Sequence, residues 1–223
     1  MLNDPKYKNV SPHYPAFTIS TGVYDFYQKN PFTIANHHAV LGGQMLALIM
    51  DKTKLWNNDT PSLCGYSLGS VFVFSTLCTL YDLGCEGVIG DAVLMGSCVD
   101  VLSLGLNIHK LVGSRGSVQG KLTILYTKYD SVLKYLFRSV RLGESPTGLF
   151  KISYDFLANC LRNSDPAFST ATKEELMNYL YLKVDNIDVS DWCNSHFAFK
   201  YRCTQIMPHI EFNSDLKYFK EKS

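Results

Sequence analysis

From residue 62 onward, short apolar runs alternate with longer stretches of helical periodicity. This alternation restricts the fold more than any other feature of the chain. Ser62–Tyr66 is a brief apolar run ending at a glycine-flanked turn, and Ser70–Tyr81 is apolar nearly all round, as a buried helix is. Asp91–Gly96 (DAVLMG) and Lys121–Thr127 (KLTILYT) read as buried strands, and Lys183–Val189 (KVDNIDV) as a last one. Between them, Ser153–Arg162 and Thr172–Leu182 have helical spacing, and Phe197–Ile206 closes the pattern as a helix. Glu174 and Glu175 stand where the first turn of the second of these would favour acidic side chains. Strands that alternate with helices predict an α/β fold: a mostly parallel sheet with helices on both faces. In such sheets functional groups gather beyond the carboxyl ends of the strands.

Upstream, Ala35–Met50 places Ala39, Leu41, Met45, Leu48 and Ile49 at helical spacing, and Asn57–Pro61 breaks the run. Residues 1–29 read as a polar, proline-punctuated arm with room for one short strand near 15–27. The 223 residues, 46% hydrophobic and 18% charged, suit a single domain over 1–223 with a substantial core, not a disordered chain. Twenty-one basic against twenty acidic residues leave +1, so no global charge draws the chain to nucleic acid. Apolar stretches such as Ala39–Met50 fall short of the roughly 20 residues of a membrane span, so no transmembrane segment is expected. The opening MLNDPKYKNV has no apolar core of a secretory signal, and a cytoplasmic protein is expected. Seven cysteines at irregular spacing argue for reduced, mostly buried thiols and against a disulfide framework.

Directly after the run at 62–66 stands Gly65-Tyr66-Ser67-Leu68-Gly69, a G-x-S-x-G pattern entering a helix. A serine on so sharp a turn adopts strained backbone, and glycine-sized residues two before and two after it relieve crowding. The turn lifts the Ser67 hydroxyl clear of the sheet and aims the helix N-terminus at the reacting centre. The Leu68 N–H then supplies one arm of an oxyanion hole.

A serine hydroxyl needs a base, and the base a carboxylate, to act as a nucleophile at neutral pH. On this architecture the expected order is Ser, then Asp or Glu, then His. Asp130 lies in the loop after 121–127 and His196 in the loop after 183–189, both at carboxyl ends. Taken singly, Asp130 reads equally well as the cap of a helix starting near Ser131. Asp100, after the 91–96 strand, is the alternative acid. His13, His37, His38, His109 and His209 have less support, since none follows a suitable strand. Gly116–Leu122 (GSVQGKL) lacks the length, the Ser/Thr and the position of a phosphate loop. Cys193-x-x-His196 has metal-ligand spacing without a second pair, so neither metal nor cofactor is expected.

Three segments, NPFTIANHHAVLGGQMLA, CGYSLGSVFVFSTL and DAVLMGSCV, resemble the α/β-hydrolase domain of the transmembrane and coiled-coil domain-containing protein 4 family. So do VQGKLTILYTKYDSVLKYLFR and VDNIDVSDWCNSHFAFKYR; together the likeness runs from about Asn30 to Ile206. It implies a lipase-like serine hydrolase acting on a small-molecule acyl or lipid substrate, with Ser67 as nucleophile, Asp130 as acid and His196 as base. The chain departs from that pattern in three places. Ser97-Cys98 replaces a small residue and proline, and residues 153–182 form a longer helical insert, a candidate lid or partner surface. Only 66 residues precede Ser67, so the hydrolase-like sheet is expected to be shortened on its N-terminal side. Two functions follow as expectations. One is an acyl-ester hydrolase, peripheral to membranes where its substrate requires it. The other is a catalytically weak or inactive hydrolase-fold protein serving as an interaction or membrane-trafficking module.

Overall fold

Four strands, β1 (Leu63–Tyr66), β2 (Ala92–Met95), β3 (Leu122–Tyr126) and β4 (Val184–Asp188), pair in chain order and all run parallel. The computed structural model describes residues 30–55, 60–141 and 143–210. The expected arm and short strand in 1–29 lie outside the described residues. Leu63, Ala92, Leu122 and Val184 stand level across the sheet, as do Tyr66, Met95, Leu125 and Ile187. The four strands therefore release their following loops along one edge. Among the described residues, β1 forms one border of the sheet.

Helix α1 (Pro31–Thr53) begins four residues earlier than its periodicity predicts. Asn30 caps it, accepting a hydrogen bond from the Phe32 N–H at 2.8 Å, and Pro31 has no N–H to leave unpaired. The glycine pair in mid-helix lets α1 lie close on α2 (Leu68–Asp82). There Ser75 and Thr76 of α2 donate to the Val40 and Gly43 carbonyls at 2.8 and 3.1 Å. After β2 come α3 (Val101–Leu106) and α4 (Ile108–Val112). After β3 come a π-helical segment (Val132–Phe137) and the single turn α5 (Arg138–Val140). Then follow α6 (Tyr154–Ser164) and α7 (Lys173–Lys183), the latter with Thr172 and Glu175 in a reciprocal capping box. Helix α8 (Ala198–Ile206) follows β4.

Alternation along β2 shows how the sheet is covered. Ala92 and Leu94 face a large core shared with Leu77 and Leu80 of α2, Leu104 of α3, Leu157 and Leu161 of α6, and Leu176 and Leu180 of α7. Val93 and Met95 face a smaller cluster built on Phe199 and Ile206 of α8. Helices thus flank both faces, unequally. The helical stretch 153–182 lies on the crossover between β3 and β4, and its Leu157, Leu161, Leu176 and Leu180 belong to the larger core while Leu182 is exposed. Of the seven thiols, only Cys85, Cys98 and Cys193 are buried. This corrects the expectation of mostly buried cysteines: Cys64 lies on the border strand, exposed, and the other three are half-buried. No helix among the described residues is long and apolar enough to cross a membrane.

Candidate active site

Ser67 sits between β1 and α2 with φ 55° and ψ −122°, a left-handed conformation that disfavours any residue with a Cβ. Its backbone is held at both sides: its N–H donates to the Met95 carbonyl at 3.0 Å, and its carbonyl accepts from the Ser70 N–H at 3.0 Å. A side chain at Gly65 would run into the Gly69 carbonyl and approach the Ser70 nitrogen to 2.7 Å, so the first glycine of the motif is obligatory. The second is not. A Cβ at Gly69 would meet nothing within 4 Å, because Gly69 crowds Gly65 through its backbone alone. The expectation that both positions must be glycine-sized is corrected accordingly. The Leu68 N–H, in the first turn of α2, has no backbone acceptor among the described residues and stays available as a donor.

Asp130 and His196 arrive from the loops after β3 and β4, at the same edge as Ser67. His196 Nε2 lies 2.8 Å from Ser67 Oγ, and His196 Nδ1 lies 2.6 Å from Asp130 Oδ2. Asp130 is fully buried and His196 is 4% exposed, while Ser67 remains half-buried and reachable. A buried carboxylate accepts only, so Nδ1 carries the proton and Nε2 presents its lone pair to the hydroxyl. Asp130 is also the helix cap that the sequence suggested: its Oδ1 accepts from the Leu133 N–H at 2.9 Å. One oxygen thus caps the helix and the other faces His196.

Several neighbours complete the site, and sequence reasoning gave them no part in it. Tyr66 donates its hydroxyl to the His196 carbonyl at 2.8 Å, and its ring packs 5.0 Å from the imidazole and 6.0 Å from Phe199. Burial, then the Asp130 carboxylate, pushes its phenol up to about 12, so it remains a donor. The signal was its place beside the serine, within the motif itself. Cys98 Sγ lies 3.8 Å from Ser67 Oγ, and burial pushes this thiol up to about 12. Its N–H donates to Ser70 Oγ at 3.1 Å, and Ser70 Oγ in turn donates to the Ser67 carbonyl. Gly96, at φ 49°, passes so close to Phe199 and Asp130 that a Cβ would lie 3.1 and 3.6 Å from them.

The alternative acid, Asp100, has other work. It caps α3 at the Ser103 N–H and accepts from the Ser145 N–H, at 3.1 and 2.8 Å. His37 and His38 are exposed on α1, His109 packs edge-on to Tyr81, and His209 stacks on Trp192. The GSVQGKL segment precedes β3 and so lies at the opposite end of the sheet from Ser67. Among the described residues, no three His, Cys, Asp or Glu side chains are grouped to hold a metal ion.

A family model described as a protein of unknown function, DUF726, matches residues 23–166. A similar curated protein is the rice (Oryza sativa subsp. japonica) "Transmembrane and coiled-coil domain-containing protein STS1", 24% identical over 184 residues. The alignment takes in 82% of this chain but 23% of that protein, so the chain spans less than a quarter of its relative's length. No solved structure matches the chain significantly.

Proposed function

The chain belongs to the DUF726 family, and from that premise we propose that it is a serine hydrolase of the α/β-hydrolase type, cleaving acyl esters of apolar or lipid substrates. The observation that carries this reading is the continuous hydrogen-bonded chain from Ser67 Oγ through His196 to Asp130 Oδ2, at 2.8 and 2.6 Å. The Ser67 Oγ attacks the ester carbonyl carbon as its proton passes to His196 Nε2. The carbonyl oxygen becomes an oxyanion opposite the Leu68 N–H. Collapse of the tetrahedral adduct breaks the bond to the alcohol oxygen, which leaves with the proton from Nε2. A water molecule then gives its proton to Nε2 and attacks the acyl-enzyme. Breakdown of the second adduct returns that proton to Ser67 and releases the acid. Asp130 keeps the imidazole in the one tautomer and orientation that permits both transfers, and Tyr66 fixes the His196 backbone. The Cys98 thiol, held neutral, forms part of the wall beside the nucleophile without competing for the proton.

Labelling by a fluorophosphonate probe tests the reading. Covalent capture of the wild type, lost in Ser67→Ala, is the expected result. A folded wild type that is neither labelled nor turns over short-chain nitrophenyl esters is the inactive interaction module instead. Labelling that survives Ser67→Ala places the nucleophile elsewhere.

A further inference from the structure

The dipeptide Lys-Tyr occurs on three segments around the site, as Lys128-Tyr129, Lys134-Tyr135 and Lys200-Tyr201. In each, both side chains are exposed, the tyrosines by 51%, 66% and 75%. Each lysine Nζ stands 5.1 to 5.9 Å from the ring of its own tyrosine. The first pair follows β3, the second lies on the π-helical segment next to Asp130, and the third begins α8 just after His196. All three therefore belong to the edge of the sheet at which Ser67 opens. Leu136 and Phe197, exposed by 52% and 64%, stand among them, and Arg138 adds a fourth exposed cation. Asp188 and Asp191 are the exposed acids of the neighbouring loop, so cations outnumber acids around the site although the whole chain carries only +1.

We propose that this collar docks the protein on an anionic lipid surface, with the Ser67 mouth turned toward the lipid. The chemistry is specific to an interface. A tyrosine presents an apolar body and a polar tip, and a lysine stem reaches past apolar contacts to set its charge at the headgroups. Exposed Leu136 and Phe197 supply the apolar contact that charge alone lacks, and the cations supply attraction to anionic headgroups. The proposal rests on the hydrolase reading in placing an acyl substrate at that surface, but docking itself requires no turnover.

Flotation with vesicles of phosphatidylcholine, with and without phosphatidylserine, tests it, using both wild type and Ser67→Ala. The expected result is binding by both proteins to the anionic vesicles, weak binding to the neutral ones, and release by salt. Each lysine contributes about fivefold near such a surface, so Lys128→Ala/Lys134→Ala/Lys200→Ala together weaken binding by about 100-fold. Tyr129→Ala/Tyr135→Ala/Tyr201→Ala weaken it at all salt concentrations. Both variants keep the wild-type melting temperature and hydrolysis of a soluble ester. Equal binding to neutral vesicles, no binding to either, or unchanged binding by the lysine variant overturns the proposal. Binding to a polyglutamate peptide without binding to vesicles also overturns it and assigns the collar to an acidic protein partner. Loss of ester hydrolysis in a wild type that still floats would sink the hydrolase reading alone.

Discussion

Replacing Asp130 separates its two duties. In the folded protein Oδ1 accepts from the Leu133 N–H at 2.9 Å and Oδ2 faces His196 Nδ1 at 2.6 Å. Asp130→Asn has the same shape, and its carbonyl oxygen keeps the Leu133 bond only if its amide nitrogen faces the imidazole. That nitrogen donates, so Nδ1 must accept, and the imidazole proton moves to Nε2, where it points at Ser67 Oγ. In the proposed mechanism the base is then lost. Such a tautomer reversal lowers kcat by about 10⁴, or about 5.4 kcal/mol of barrier at 1.36 kcal/mol per decade. Stability is barely changed, because the cap survives. Asp130→Ala removes the base's partner and the cap together. Loss of a cap costs about 1 kcal/mol, and stranding a buried donor about 1–3 kcal/mol more, for a total of about 2–4 kcal/mol. Steady-state hydrolysis of a nitrophenyl ester, with urea denaturation of each variant, reads both effects. An Asp130→Asn enzyme within tenfold of wild type, or alanine and asparagine variants of equal stability, would refute the reasoning.

At the elbow, Gly65→Ala forces a Cβ against the backbone of Gly69 and Ser70, a misfit worth about 1–3 kcal/mol. For a chain of this size that lowers the melting temperature by about 2–12 °C. Gly69→Ala meets open space in α2 and is expected to stabilise by up to about 1 kcal/mol; calorimetry showing equal losses at both sites would contradict the asymmetry. His109 is held below the usual histidine range by burial, then by Lys110, and its Nδ1 is buried without a hydrogen-bond partner among the described residues. Its folded value is therefore lower than its unfolded one, near 6.5. The stability this provides is present above pH 6.5 and is lost as pH falls through the folded value. His109→Phe should flatten the fall in stability between pH 7 and 5, and denaturation curves with unchanged pH dependence would count against it.

The grouping of Ser67, Asp130 and His196 was legible because three signals coincided: a serine between two glycines at a strand end, and an acid and a histidine in the right order after later strands. Strands β2 and β3 were legible because their runs are buried on both sides, and such runs tolerate little polarity. Helices α3 and α4 went unread, being only six and five residues long and thus too brief for periodicity to register. The start of α1 was displaced because Asn30-Pro31 marks it chemically while the apolar pattern begins later. Cys98 and Tyr66 were missed for a different reason. Their roles come from proximity across the sheet edge, Cys98 across 31 positions to Ser67 and Tyr66 across 130 to His196, and no local pattern encodes that.

The π-helical segment has a bearing on what lengths the chain can tolerate. Its first bonded N–H is fastened to Asp130, and at its far end Phe137 packs edge-on to Phe32 of α1 at 5.8 Å. Between these anchors each hydrogen-bonded turn closes over one residue more than in an α-helix. With the π-helical winding kept, deleting any one of Val132–Phe137 would turn everything after it by roughly a quarter of a turn relative to what precedes it. Phe137 would swing off Phe32, and Lys134 or Tyr135 would turn inward. Exposed connections ordinarily accept insertions and deletions freely. This one behaves as a counted spacer: open to substitution at its outward side chains, and closed to any change in the number of residues.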